Sequence, residues 1–156
     1  MRTPAEVLAL PVESLLPHRG EMVLVARALG PQQDAFVAEV EVDEASPFYD
    51  GEGVPAYVGL EYMAQTVGLC VGYEAALKGA APRPGLLLAA RSYAAARDRF
   101  ALGETLRVEV RRMLETEDGL AVMDCRICAT EGGECARGQL TLARLPADFP
   151  SLGARP

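Results

Sequence analysis

Histidine is almost missing from this 156-residue chain: His18 stands alone. No metal-spaced histidine pair can form, and only one side chain has an unperturbed pKa near neutrality. Basic runs are missing too. Lys and Arg total 15 against 22 Asp and Glu, for a net charge of -7, and nothing in the sequence could track a phosphate backbone, so nucleic acid is not an expected partner. There is no Gly-rich phosphate loop and no Gly-x-Ser-x-Gly elbow, which leaves nucleotide-binding and serine-hydrolase chemistry without support. No stretch approaches the roughly 20 apolar residues of a membrane span, and Pro4, Glu6, Pro11 and Glu13 interrupt the run that a signal peptide would need. The expectation is a cytoplasmic protein without a membrane span.

Cysteine is scarce but clustered: Cys125, Cys128 and Cys135 crowd into CRICATEGGEC, with Cys70 apart. That spacing invites a zinc reading. Against it, Cys125 and Cys128 fall in a strand-like segment where odd spacing points them to opposite faces, and the sole histidine is remote in sequence. Buried reduced thiols, and no metal, are the expectation.

Half of the residues are hydrophobic, enough for one domain of ordinary size to bury a core without metals or disulfides. A single folded unit is expected over about residues 8–145, with the tail PADFPSLGARP poorly ordered beyond about Pro146. MVLVARALG reads as a first strand, GPQQ as a turn, and DAFVAEVEVD as a second strand with Phe36, Ala38, Val40 and Val42 on one face. The loop EASPFYDGEGVP follows, and its Pro, Gly and acidic content cannot continue a ladder. From Ala56 to about Lys78 the chain has neither proline nor strand alternation and is apolar almost all the way round, which predicts a helix covered on most sides. Gly59, Gly68 and Gly72 would let a sheet or a partner helix approach its backbone. Four more strands follow, with hairpin signals at Glu117-Asp118-Gly119 and Glu131-Gly132-Gly133. Two strands, a buried helix and four strands predict an α+β fold in which an antiparallel sheet wraps a long central helix, a helix buried between two protomers, or both.

Glu61 is the acid set among apolar helix residues. A carboxylate there acquires a partner or a raised pKa; equally, it caps the helix start, where its charge suits the macrodipole. Gln65, one turn on, can bond that carboxyl or orient a ligand. His18, in Leu16-Pro17-His18-Arg19-Gly20, reads as either a base or a structural residue near a turn. The loop from Phe48 to Pro55 feeds the helix start, whose first amides could hold an anionic or carbonyl oxygen, or it is a plain connection. Tyr49, Tyr57, Tyr62 and Phe48 could line a pocket or simply pack in the core. Local basic groups at Arg91, Arg97 and Arg99, or at Arg111 and Arg112, could offset the acidic average toward an anionic partner.

Three stretches carry a resemblance: LPHRGEMVLVARAL, VPAYVGLEYMAQTVG with its Glu-x-Met-Ala-Gln ending, and LLLAARSYAAARDRFALGETLRVEV. In that order and spacing the chain resembles bacterial 3-hydroxyacyl-acyl-carrier-protein dehydratases, most closely their divergent branch associated with aryl polyene biosynthesis, over roughly residues 10 to 145. The resemblance implies a hotdog fold and a dimer, either a homodimer or a heterodimer with another hotdog dehydratase. It also implies a substrate delivered on the phosphopantetheine of an acyl carrier protein, and no cofactor. The implied reaction eliminates water from a 3-hydroxyacyl thioester to give the trans-2-enoyl product. The better-known branch carries a histidine in a His-Phe-Pro-Gly loop before the helix, and FYDGEGVPAYVG has none. The implied roles therefore fall to His18 as base and Glu61 as acid, joined across the dimer. Gln65, Tyr57 and the amides of Val58 and Gly59 are then expected at the substrate. A non-catalytic acyl-binding subunit and a hotdog thioesterase or hydratase are the alternatives.

Overall fold

The computed structural model describes residues 1–146; the tail expected to be poorly ordered lies outside them. Eight strands and two α-helices follow in the order α1 (Pro4–Leu8), β1 (Arg27–Gln32), β2 (Ala35–Glu41), β3 (Gly53–Pro55), α2 (Gly59–Leu77), β4 (Gly85–Ala95), β5 (Arg99–Ala101), β6 (Thr105–Glu115), β7 (Leu120–Ala129) and β8 (Glu134–Arg144). Six strands form one antiparallel sheet in the order β1-β2-β6-β7-β8-β4, while β3 and β5 pair separately. The sheet wraps the long helix, as the strand-helix-strand pattern predicts.

The core follows from period-2 alternation meeting that helix. Phe36, Ala38 and Val40 from β2 with Val42 just beyond it, Leu106, Val108 and Val110 from β6, and Met123, Cys125 and Ile127 from β7 are all buried against it. A single 3-10 turn, Ala56–Val58, precedes α2 and completes the predicted helical span. The three helix glycines are close-packed, though a partner helix is not what reaches them. A Cβ on Gly72 would collide with the Leu15 carbonyl, one on Gly68 with the Leu16 side chain, and one on Gly59 with the Tyr93 hydroxyl and Phe100. The segment between α1 and β1 therefore lies directly on the helix.

Two expectations need correction. The first strand begins at Arg27 instead of Met22, because residues 22–24 give their backbone groups to a helix side chain and only Ala26 N–H reaches across to the Glu39 carbonyl, at 2.8 Å. The loop before the helix is also more structural than a bare connection. Asp50 accepts from the amides of Glu52 and Gly53 and from Arg99 Nε at 2.6 Å, which ties the loop to β5 and holds the Asp50 carboxyl below its usual range, the Arg99 bond being the largest cause.

Cys125 faces the core, where burial pushes its thiol up to about 12, and Cys128 lies on the opposite, less buried side of β7. The four thiols are unbridged, and among the described residues no three His, Cys, Asp or Glu side chains gather at a metal-binding spacing.

Candidate active site

His18 and Glu61 meet. Nε2 of His18 lies 3.3 Å from Oε1 of Glu61, with the two side chains 31% and 35% exposed. The contact is made within one chain, which corrects the expectation that it forms across a dimer. The local reason is how the leading segment is pinned. Leu15 and Leu16 are buried on Gly72 and Gly68. One guanidinium nitrogen of Arg19 donates to the carbonyls of Glu13, Leu16 and His18 at 3.0, 2.7 and 2.8 Å. This tight turn sets the imidazole over the first turn of α2.

Gln65 completes the arrangement. It is fully buried, and its amide nitrogen donates to Glu61 Oε1 at 3.0 Å and to the Met22 carbonyl at 2.6 Å, while its oxygen accepts from Leu24 N–H at 2.9 Å. Both of its N–H groups and its oxygen are taken by protein. Gln65, expected at the substrate, has its polar atoms engaged by protein in this structure: it holds Glu61 in place and anchors the chain leaving His18.

Both readings of Glu61 are partly realised. It stands in the first turn of α2, where negative charge suits the helix dipole, and it is also paired. Its carboxyl is held below the usual range, chiefly by the hydrogen bond from His18 and further by that from Gln65, against desolvation acting in the opposite direction. Glu61 is thus ionised at neutral pH in the open site. An acceptor-only carboxylate requires His18 to present Nε2–H. The other ring nitrogen, Nδ1, is enclosed and has no hydrogen-bond partner among the described residues.

The pair borders a cavity of about 200 Å³ that runs along α2, floored by Leu15, Ala64, Val67, Val71, Met123 and Leu142 and ending at Arg112, Glu115 and Arg144. Tyr57, Val58 and Gly59 do not line it. Tyr57 is 67% exposed, Val58 is buried, and the Gly59 amide is spent on the carbonyls of Ala56 and Tyr57. The Ala56 amide is likewise spent, on the Asp98 carbonyl, and Tyr93 donates its hydroxyl to the Ala56 carbonyl. Within one protomer the expected amide cradle at the helix start is therefore closed, because the 3-10 turn and the β3–β5 pairing consume it. The sequence signal for Tyr93 was weak: it projects inward only because a bulge at Ser92, whose φ is 58°, breaks β4 alternation.

Comparison with known proteins matches residues 10–152 to the ApeP-like family of ApeP dehydratases. The chain belongs to the ApeP-like dehydratase family. A solved relative, the dehydratase heterocomplex ApeI:P from Xenorhabdus doucetiae, shares 25% identity over 88% of this chain and 93% of its own, with a TM-score of 0.80. Zebra fish thioesterase superfamily member 2 has a TM-score of 0.66 at 14% identity, over 94% of this chain and 100% of its own. A hypothetical thioesterase protein with coenzyme A from Streptococcus pneumoniae TIGR4 has a TM-score of 0.59 at 16% identity, over 76% and 84% of the two chains. These last two share the fold alone, the hotdog fold. No curated protein matches the chain.

Proposed function

We propose that this ApeP-like protein dehydrates 3-hydroxyacyl thioesters carried on the phosphopantetheine of an acyl carrier protein, giving trans-2-enoyl thioesters in aryl polyene or fatty acid type biosynthesis. One observation carries the reading. Nε2 of His18 and Oε1 of Glu61 stand 3.3 Å apart at the edge of an apolar cavity, a separation suited to the vicinal C2–H and C3–OH of such a substrate.

The pair works with one shared proton. The proposed cycle starts with His18 as an imidazolium, protonated on both ring nitrogens, and Glu61 as a carboxylate. A substrate that fills the cavity expels water and comes between them, so the His18 bond that depresses Glu61 is lost and desolvation prevails. The Nε2 proton then passes to Glu61, leaving a neutral imidazole and a neutral acid. Nε2 takes the C2 proton, the C2–H electrons form the C2=C3 bond as the C3–O bond breaks, and Glu61 protonates the departing hydroxyl to water. The pair returns to imidazolium and carboxylate. No cofactor takes part.

A second hotdog subunit fits this reading. The outer edge of β4 is unpaired over eleven residues and exposes Leu86, Leu87 and Leu88, an edge that demands cover. That the relative is a heterocomplex supports a partner of the same fold. Such a partner would supply the carbonyl-polarising amides that this protomer has closed off.

The test incubates the purified chain, alone and with a hotdog partner from the same organism, with a 3-hydroxyacyl carrier protein and follows it by mass spectrometry. Loss of water is expected. Loss of the acyl group would establish a thioesterase, and no change in either incubation an acyl-binding subunit. His18→Ala and Glu61→Gln should each lower turnover roughly 10²–10⁴-fold; near-normal turnover in either variant removes that residue from the mechanism.

A further inference from the structure

A second cleft opens beside the segment that leaves His18. It holds about 510 Å³ between residues 20–26 and the loop after β2, with Val23 and Val25 on one wall and Ala45 and Pro47 on the other. It shares no lining residue with the cavity beside His18 and Glu61. Tyr62 forms its floor. One residue past Glu61 on α2, Tyr62 points about 100° round the helix from it. Its ring packs tilted on Phe100, centroids 5.6 Å apart, and only 2% of the residue is exposed. A tyrosine hydroxyl so deeply placed ordinarily has a partner. Among the described residues, though, the one side-chain hydrogen bond that reaches Tyr62 runs from the Thr66 hydroxyl to its backbone carbonyl. Nor is the phenol oxygen sealed in, since His18 Nδ1 is the only enclosed side-chain nitrogen or oxygen left without a partner among those residues. The Tyr62 hydroxyl is therefore reached from the cleft and waits for a ligand's polar group there.

The uncompensated charge around that hydroxyl is of one sign. Glu21 borders the cleft from one wall and Asp43 from the other, and no basic side chain among the described residues pairs with either; Glu41 is already answered by Arg27 at 2.7 Å. Asp43 spends one oxygen on the Ala45 amide at 2.9 Å and keeps the other. Burial first, and the Asp43 charge second, push the Tyr62 pKa up, so the hydroxyl stays neutral and able to accept. The carboxylates do not gather at a metal-binding spacing, so a metal ion is not the cation they suit. We infer that the cleft binds the ammonium head of a linear alkylamine, with its stem between the apolar walls and its three N–H groups given to Tyr62, Asp43 and Glu21. Acceptors on two walls and a floor match the three diverging donors of an ammonium better than the planar fork of a guanidinium. An anionic head would meet only repulsion.

The test titrates 1-aminopentane and its neutral counterpart 1-pentanol into the full-length protein at neutral pH and follows the Val23 and Val25 methyl resonances by NMR. The amine should shift them saturably and bind about tenfold tighter than the alcohol, the gain expected of a hydrogen bond to a charged group. Tyr62→Phe removes one oxygen, and Asp43→Asn removes the charge while keeping an acceptor for the Ala45 amide. Each variant, checked for folding by circular dichroism, should weaken amine binding roughly five- to tenfold and leave the alcohol nearly unchanged. Two further probes separate the sources of such a head: 1,5-diaminopentane stands for a free diamine and Nα-acetyl-lysine methylamide for a lysine side chain of another protein. Binding of either supports the site, and the tighter of the two names its source. Equal affinities for 1-aminopentane and 1-pentanol, an unchanged amine affinity in either variant, or no shift at Val23 and Val25 would overturn the inference. No turnover enters the readout, so the inference stands or falls apart from the dehydratase reading.

Discussion

Replacing Gln65 with Leu tests whether the candidate site is held from below. Leucine nearly conserves volume, so the perturbation is the loss of three hydrogen bonds: to Leu24 N–H, to the Met22 carbonyl and to Glu61. Two backbone groups lose their partner beside the core, each costing about 1–3 kcal/mol, while the added apolar burial offsets part of this. A net loss of about 2–4 kcal/mol is expected out of a total typically near 5–15 kcal/mol. Urea unfolding should show a lower midpoint at an unchanged slope. Because the Gln65 bond also depresses Glu61, carboxyl titration by NMR should find the Glu61 pKa raised, and turnover should fall in kcat more than in KM, as Glu61 loses its orientation. Gln65→Glu sharpens the case: it keeps an acceptor for Leu24 but sets a second carboxylate against Glu61, so one of the two must titrate upward. A Gln65→Leu protein with a midpoint within about 0.5 kcal/mol of the original and unchanged kcat would refute the holding role.

The pH dependence of the pair has a definite sign. The folded pKa of Glu61 is depressed, so the pair's contribution is present above the ordinary value of 4.5 and is lost as pH falls through the lower folded value. The stability gap between the unaltered protein and His18→Ala should close in acid as pH falls through that lower value; a gap that widens in acid would contradict the pairing. Gly72→Ala should cost about 1–3 kcal/mol, because its Cβ meets the Leu15 backbone, and should reduce turnover beyond what the Tm shift explains, by pushing the His18 segment off the helix. Gly133→Ala, which meets nothing nearby, is the control and should change Tm little.

The helix and the large strands were legible because their side-chain periods are also their burial patterns: Phe36 to Val42 and Leu106 to Val110 alternate in sequence and are buried in space. The Glu61–Gln65 contact was legible for a similar reason, as a one-turn spacing on a helix. What escaped depends on long-range pairing. The three-residue strands β3 and β5 carry no period, and Met22 to Ala26 is a short apolar run that reads as a strand yet is claimed by Gln65 from 41 and 43 residues away. The helix-start amides looked available because nothing local reveals that the Asp98 carbonyl and a 3-10 turn consume two of them. His18 was singled out by its rarity, and only packing on Gly68 and Gly72 shows why it reaches Glu61.

That His18 and Glu61 belong to one polypeptide has a genetic consequence. Sites assembled from two chains can be rescued by mixing: two different dead mutants combine to rebuild one intact centre. Here co-expressing His18→Ala with Glu61→Gln should restore nothing, since every copy carries its own lesion. An assembly containing one intact copy and one doubly mutated copy should keep the intact copy's full share of activity. Recovery of turnover from the two single mutants would show that the working pair is shared after all.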